Sequence, residues 1–327
     1  MPVIINPKQH GLFVALEATP GTYVAPTATA YLMTEGLKVD PNQIDKETIT
    51  LDSLNRPSDI VALKKRHTKA AFRVPLSWAA AAPSTTANLL PVNPLLQVCG
   101  GSAPVAVTTP AAGIRYDEVA DTASVLSASL SYRRRRNATQ QYERKIPGCR
   151  GSAGFEWEFG KIPMFVFDLM GGHIDILQSG ALNGTPGTQL TNIGLASSAT
   201  NTANVLLNGK SLCLYRFGIK NLFRTQATIQ DSMCGTGALA DLVSNADLTL
   251  TFRHPDIVSE LNPDAYFGGN YPFTITCKGD GAFAARQLIF DLPLANIADV
   301  KEVDLPDNTL GIEMTLTQLE PLTLTHV

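Results

Sequence analysis

Leu310-Gly311-Ile312-Glu313-Met314-Thr315-Leu316 alternates strictly: Leu310, Ile312, Met314 and Leu316 fall on one side of an extended chain, Glu313, Thr315 and Thr317 on the other. A strand with one buried face gives this period of two, because successive side chains point to opposite faces of a sheet. The same alternation recurs upstream at 288–292, at 271–277 (Tyr271, Phe273, Ile275, Cys277) and at 246–253, where Leu248, Leu250 and Phe252 face away from Asp247, Thr249 and Thr251. Phe155, Trp157 and Phe159 alternate with Glu156 and Glu158, and Gly160-Lys161 then opens a hairpin into Ile162–Leu169. Over 126–132, Leu126, Ala128, Leu130 and Tyr132 oppose Ser127, Ser129 and Ser131; over 70–78, Ala70, Phe72, Val74, Leu76 and Trp78 oppose Lys69, Arg73 and Ser77. Half-buried strands repeated this often predict a mainly β fold, an antiparallel sandwich or barrel.

Helical signals are short. Pro83-Ser84 with Thr85–Leu90, then Asn93-Pro94 with Leu95–Cys99 and Gly100-Gly101, predict a broken flanking helix with an Asn cap, Pro at its first position and Gly at its end. Gly237–Val243 is a second helical candidate. Two spans do not fit the alternating core. Residues 34–68 are polar and run from acidic (Glu35, Asp40, Asp45, Glu47, Asp52) to basic (Lys64, Lys65, Arg66, His67). A structureless stretch of that length inside a compact domain points to function, so 34–68 reads as a projecting arm or β-hairpin. Residues 178–204 are rich in Gly, Asn, Thr, Ser and Ala, and 178–245 as a whole reads as an insertion or surface excursion within the sandwich.

Composition narrows the function class. The chain has 327 residues, 44% hydrophobic and 17% charged, with 26 Lys+Arg against 29 Asp+Glu. That length accommodates one large β domain, the reading taken for 1–327, and a sizeable core. A net charge of −3 argues against a protein that grips nucleic acid through a broad basic face. Five cysteines (Cys99, Cys149, Cys213, Cys234, Cys277) show no metal or disulfide spacing and are expected as buried thiols in a reducing cytoplasm. The opening Met1–Lys8 carries no secretory apolar core, and no window of about 18 apolar residues predicts a membrane span.

Catalytic patterns fail on named residues. Gly209-Lys210-Ser211 ends like a phosphate loop, but Asn204 stands where the first glycine is needed, and the flanks read as a hairpin. Gly235-Thr236-Gly237-Ala238-Leu239-Ala240 has loose dinucleotide spacing without surrounding βαβ alternation, and reads as a turn into a short helix. His10, His67, His173, His254 and His326 are scattered, expected at surfaces or turns and without metal spacing. Glu156 and Glu158, about 7 Å apart on one strand face, have the separation of a glycosidase pair, although a solvated face explains them more simply. No Gly-x-Ser-x-Gly elbow occurs, and no cofactor is implied. Arg133-Arg134-Arg135-Arg136 is the densest charge run; Arg133 and Arg135 extend the serine face of their strand. With no aromatic platform interleaved, ion pairs to the acidic arm of a neighbouring copy are favoured over nucleic acid.

Three stretches carry a family resemblance. Glu17-Ala18-Thr19-Pro20-Gly21-Thr22-Tyr23-Val24-Ala25-Pro26, followed by Leu32 and the charged arm, is similar to the opening of the major tail tube proteins of long, non-contractile phage tails. The helix ending at Cys99-Gly100-Gly101, and Gly148-Cys149-Arg150-Gly151-Ser152-Ala153-Gly154 leading into two aromatic strands, resemble that family's helix and central hairpin. Arg286–Ile297 followed by Leu310–Leu319 resembles its final strand pair. The resemblance implies a tail-tube sandwich with a flanking helix and long loop, not an enzyme, assembled in the host cytoplasm into the virion. Its implied partners are further copies in stacked hexameric rings, the tape measure protein, the terminator and initiator proteins, and double-stranded DNA in transit, with no membrane. Six copies at −3 each carry −18, consistent with a wall that does not hold phosphate. The arm's polarity makes Asp40, Asp45, Lys46, Glu47, Asp52, Lys64, Lys65 and Arg66, with Arg133 and Arg135, the candidate contacts between subunits and rings. The alternatives are a tail terminator, a type VI secretion-like ring, or a carbohydrate-binding sandwich. Against the last, Trp78 and Trp157 stand on apolar strand faces.

Overall fold

The computed structural model describes residues 10–51, 58–78, 81–109, 111–135, 141–158, 160–179, 204–229, 238–242, 247–255, 261–279 and 283–327, with backbone alone over 42–51, 58–65, 178–179, 204, 229, 238–240 and 242. The chain is mainly β and antiparallel. Strands β1 (His10–Leu16) and β2 (Tyr31–Leu32) precede the long β3 (Glu35–Leu51) and β4 (Ser58–Pro75). The helix α1 (Asn93–Val98) leads to β5 (Val105–Val107), β6 (Gly113–Asp117), β7 (Ala128–Arg135), β8 (Gln141–Glu158) and β9 (Met164–Gly172). Short strands follow: β10 (Leu177–Ser179), β11 (Asn204–Leu207), β12 (Lys210–Ser211), β13 (Leu214–Ile219), β14 (Thr225–Ile229) and β15 (Ala238–Leu242). After β16 (Asp247–Arg253) and the one-turn α2 (Pro263–Tyr266) come β17 (Asn270–Lys278), β18 (Gln287–Asp304), β19 (Leu310–Gln318) and β20 (Thr323–His326).

The alternating runs fall on these strands, and their apolar positions are the buried ones: Leu248, Leu250 and Phe252 on β16, Phe273, Ile275 and Cys277 on β17, Ile312, Met314 and Leu316 on β19. Leu126 and Leu310, at the ends of their runs, are exposed. Phe159 lies outside the described residues.

Strand β8 belongs to two ladders. Its first half pairs with β7, from Arg135↔Gln141 to Ala128↔Cys149, and β7 continues to β1 and β2. Its second half, from Arg150 onward, pairs with β9 on one edge and β13 on the other. From there the larger ladder runs one way through β9 to β4 and β3, and the other way through β13, β16 and β19 to β18. Strand β18 then pairs with β17 and β20 on opposite edges. Strands β8 and β18 are four ladder steps apart, about 19 Å in a flat sheet. Yet the Phe155 and Phe290 rings have centroids 4.7 Å apart, and Phe217 meets Phe290 at 5.5 Å. The sheet is therefore rolled over on itself, with a phenylalanine-rich core inside the roll. Burial of side chains this size contributes about 1.5–3 kcal/mol each.

Several local expectations are corrected. The helix is only α1: Pro94 occupies its first turn, but Val92 is the cap residue, and no side chain caps the helix. The Asn93 carboxamide instead accepts from Tyr116 Oη at 3.0 Å and Gln97 Nε2 at 3.1 Å. Residues 84–90 form a turn, since Ser84 Oγ accepts from the Ala87 N–H and Asn88 adopts φ 58°, competing with helix. The C-terminal glycine is as expected: Gly100 has φ 90°, and the Gly101 N–H reaches Leu96 O at 2.9 Å. Residues 238–242 form β15 on β14 instead of a helix, because five residues are too few to nucleate one when a strand partner satisfies their backbone groups; Gly237 and Val243 lie outside the described residues. Within 178–245, Val205, Leu207, Phe217 and Ile219 are core residues, and β13 lies between β8 and β16. His67 and His326 are buried, and Cys213 is exposed while Cys99, Cys149 and Cys277 are buried; Cys234 lies outside the described residues.

Candidate intersubunit surfaces

The Glu17 strip anchors the crossing of β8. Glu17 is buried and accepts from Ser127 Oγ at 2.7 Å, Ser129 Oγ at 2.6 Å, the Gly148 N–H at 2.8 Å and the Gly21 N–H at 2.8 Å. Such convergence of charge-assisted bonds allows a carboxylate to stay buried. It also ties residues 17–21 to β7 and to Gly148, which adopts φ 64° just before β8 changes ladder. Gly151 is required three residues further along the strand, since a Cβ there would stand 2.1 Å from Asp168 O. The serine face and the glycines noted in the sequence are thus parts of one joint.

The arm is a hairpin of β3 on β4. Strand β4 pairs with β9 only from His67↔Gly172 to Pro75↔Met164, so its nine residues 58–66 pair with β3 alone among the described residues. That outer part spans about 30 Å at strand rise. Its register puts Asp40 opposite Lys69 and Ile44 opposite Arg66, with Asp45 facing the irregularity that holds Lys64 and Lys65. Lys46 pairs with Leu63 and Glu47 with Ala62. The acidic and basic halves therefore lie across from each other in one hairpin. Asp52 lies outside the described residues.

At the hairpin root, His173 collects charge. Arg66 Nη1 stands 3.2 Å from His173 Nε2 and 3.5 Å from Asp175 Oδ1, while Arg144 Nη1 and Thr68 Oγ1 approach Nδ1 at 3.4 and 3.1 Å. The network fits an Nε2–H donated to Asp175 at 3.2 Å, leaving Nδ1 to accept. Burial lowers the His173 pKa, and the neighbouring arginines lower it further. Arg144 is likewise pulled down by burial and by the like charges of Arg66 and Arg134.

The arginine run divides. Arg133 turns inward: its Cζ lies 4.1 Å over the Phe13 ring, and its Nε lies 2.9 Å from Ser131 Oγ and 3.4 Å from Glu143. Arg134 Nε donates to Tyr132 Oη at 2.5 Å, and Arg135 is exposed at the end of β7. Arg136 lies outside the described residues. Sequence reasoning missed Arg144 and His173, which no run or spacing marks; only the ladder brings them beside Arg66.

The polar face of the large ladder carries opposed charges in pairs: Lys69–Asp168 at 2.8 Å, Arg73–Glu156 at 3.3 Å, Lys161–Glu158 at 2.8 Å and Lys301–Glu313 at 2.7 Å. Glu156 and Glu158 line an open groove with Glu35, Arg73, Lys161 and Arg216. Each of the two carboxylates is thus engaged by a cation, and Trp78 and Trp157 are buried, which leaves neither as a sugar platform. No helix among the described residues is long and apolar enough to cross a membrane.

A family model for phage tail tube proteins matches residues 7–220, a span that takes in the Glu17 joint, the hairpin and all of β8. The chain belongs to the phage tail tube protein family, which makes it a structural component of the phage tail. No curated protein matches it.

Proposed function

We propose that the protein, acting as one tail-tube unit, forms closed rings of six that stack into the tube of a long, non-contractile tail. Assembled in the host cytoplasm, the tube conducts DNA at ejection, and its ends meet the tape measure, initiator and terminator proteins. The observation that carries this reading, beyond family membership, is the β3–β4 hairpin, whose outer half bonds only to itself among the described residues. A strand ladder left open along β3 is a template for another chain, and ring closure covers such edges. Asp40, Asp45, Lys46, Glu47, Lys64, Lys65 and Arg66 on the hairpin, and Arg135 beyond β7, are the contact residues in this reading. Arg133 contributes by holding β7 against Phe13 and Glu143. The paired charges of the polar sheet face support a wall that does not retain phosphate, because Lys69, Arg73, Lys161 and Lys301 each already have a carboxylate.

Negative-stain electron microscopy of the purified chain over a concentration series, with light scattering for mass, tests the proposal. Hollow tubes with a six-fold repeat are expected. Isolated rings that never stack would reassign the protein to a terminator role, and a persistent monomer of 35.0 kDa would end the self-assembly reading.

A further inference from the structure

The two ends of the strand ladder carry opposite charge. At one end, where β8 begins, the hairpin root gathers Arg66 and Arg144 around His173, with Asp175 the carboxylate in contact among the described residues, and Arg134 on the neighbouring β7 adds a like charge that acts on Arg144. At the other end, where β8 finishes, the register runs from Glu158↔Arg216 through Leu214↔Phe252 and Arg253↔Gly311 to Asp304↔Leu310. The β18–β19 turn therefore lies at that far end. Residues 299–313 hold Asp299, Glu302, Asp304, Asp307 and Glu313 against Lys301, which is paired with Glu313 at 2.7 Å, and against Arg253, which lies across from Gly311 on β16; five carboxylates thus face two cations. Asp299, Glu302, Asp304 and Asp307 are exposed. The Asp307 side chain accepts from the Thr309 backbone and hydroxyl, so the turn is internally braced and presents its other carboxylates outward.

We propose that successive subunits join end to end through these surfaces, the acidic β18–β19 turn of one copy resting on the Arg66–Arg134–Arg144 cluster of the next. This deepens the tube reading and rests on it. Two different patches that meet head to tail propagate a filament instead of closing a pair, which is what axial stacking requires. The charges also fix polarity: turn against turn and cluster against cluster repel, so only one relative orientation of neighbours is attractive. In the lone subunit the cluster holds more guanidinium charge than its described carboxylate neutralises, and an incoming turn supplies the missing anions.

Two charge-reversed variants of the full chain test this: Glu302→Lys with Asp304→Lys at the turn, and Arg134→Glu with Arg144→Glu at the cluster, each confirmed by its thermal melt as folded. Should the cluster variant melt early, Arg66→Glu, on the exposed flank, replaces it. Each variant alone is expected to need at least tenfold more protein to form sedimenting tubes. An equal mixture restores assembly, because each variant's turn then meets a cluster of opposite sign. The proposal is overturned if either variant assembles at the wild-type concentration, or if both fail and the mixture does not recover. A wild-type chain that never associates overturns the tube reading as well, whereas wild-type tubes with indifferent variants overturn this contact alone. A cluster variant that assembles normally but no longer retards a short DNA duplex in a gel would assign the arginines to phosphate.

Discussion

Four donors converge on Glu17: the hydroxyls of Ser127 and Ser129 and the N–H groups of Gly148 and Gly21. Removing the carboxylate strands two hydroxyls and the Gly148 N–H away from water, so Glu17→Ala is expected to cost about 3 kcal/mol or more in denaturant unfolding. Glu17→Gln keeps the volume but offers one acceptor oxygen for two, and falls between. His326 sets a pH limit on stability. Burial, then the nearby Arg286 charge, depresses its pKa from 6.5 to about 4 in the fold, where its ring packs on Trp78 with centroids 6.2 Å apart. The unfolded chain therefore takes up the proton first, and stability present above pH 6.5 falls as the pH drops toward 4, by about 3 kcal/mol. His326→Phe should flatten that slope in melts between those two pH values; an unchanged slope would clear His326 of the effect. Thiol reactivity gives a third check: Cys213 labels in the native protein, while Cys99, Cys149 and Cys277 stay protected until unfolding. Little of this was legible in the sequence. Nothing in a sequence window marks Glu17 as buried or His326 as core, because their partners lie over 100 residues away in Ser127 and Ser129, or across a ladder in Leu288 and Ile114.

Among the elements, the β3–β4 hairpin separates folding from assembly most cleanly. Its outer part contributes no pairing to the rest of the sheet among the described residues, so replacing 46–63 by Asn-Gly should leave the melting temperature within a few degrees of wild type. The same deletion should abolish tubes in electron micrographs; normal tubes would relieve the hairpin of any role in stacking. The strands were legible because one-sided burial imposes a period of two on residues such as Leu248, Leu250 and Phe252. The failure at 238–242 has the opposite cause: Ala-Leu-Ala-Asp-Leu has good helix formers, but β14 supplies a ladder that local propensity cannot anticipate. Likewise the acidic and basic halves of 34–68 read as separate patches in the sequence and become cross-strand neighbours once the chain turns back.

For the whole molecule, opposite charge at the two ends makes assembly sensitive to salt. Raising ionic strength from about 0.05 to 0.5 M shortens the screening length severalfold, so the concentration at which tubes appear should rise steeply, while the melting temperature of the subunit stays nearly constant. Salt-independent assembly would mean that apolar contacts carry the stacking. The β class was readable from the alternation; the roll of the sheet was not, since the contact of Phe155 with Phe290 joins residues 135 positions apart.

One consequence concerns force. The arginine cluster lies near the start of β8 and the acidic turn lies at the end where β8 finishes, so a pull applied between neighbouring subunits runs along the strand direction and is handed from β8 across β13 and β16 to β19. Tension then passes between strands through hydrogen bonds that are loaded together in shear instead of being peeled one at a time. A tube built this way resists stretching as a cable does, and its weakest links under load are the contacts between subunits, which can reform.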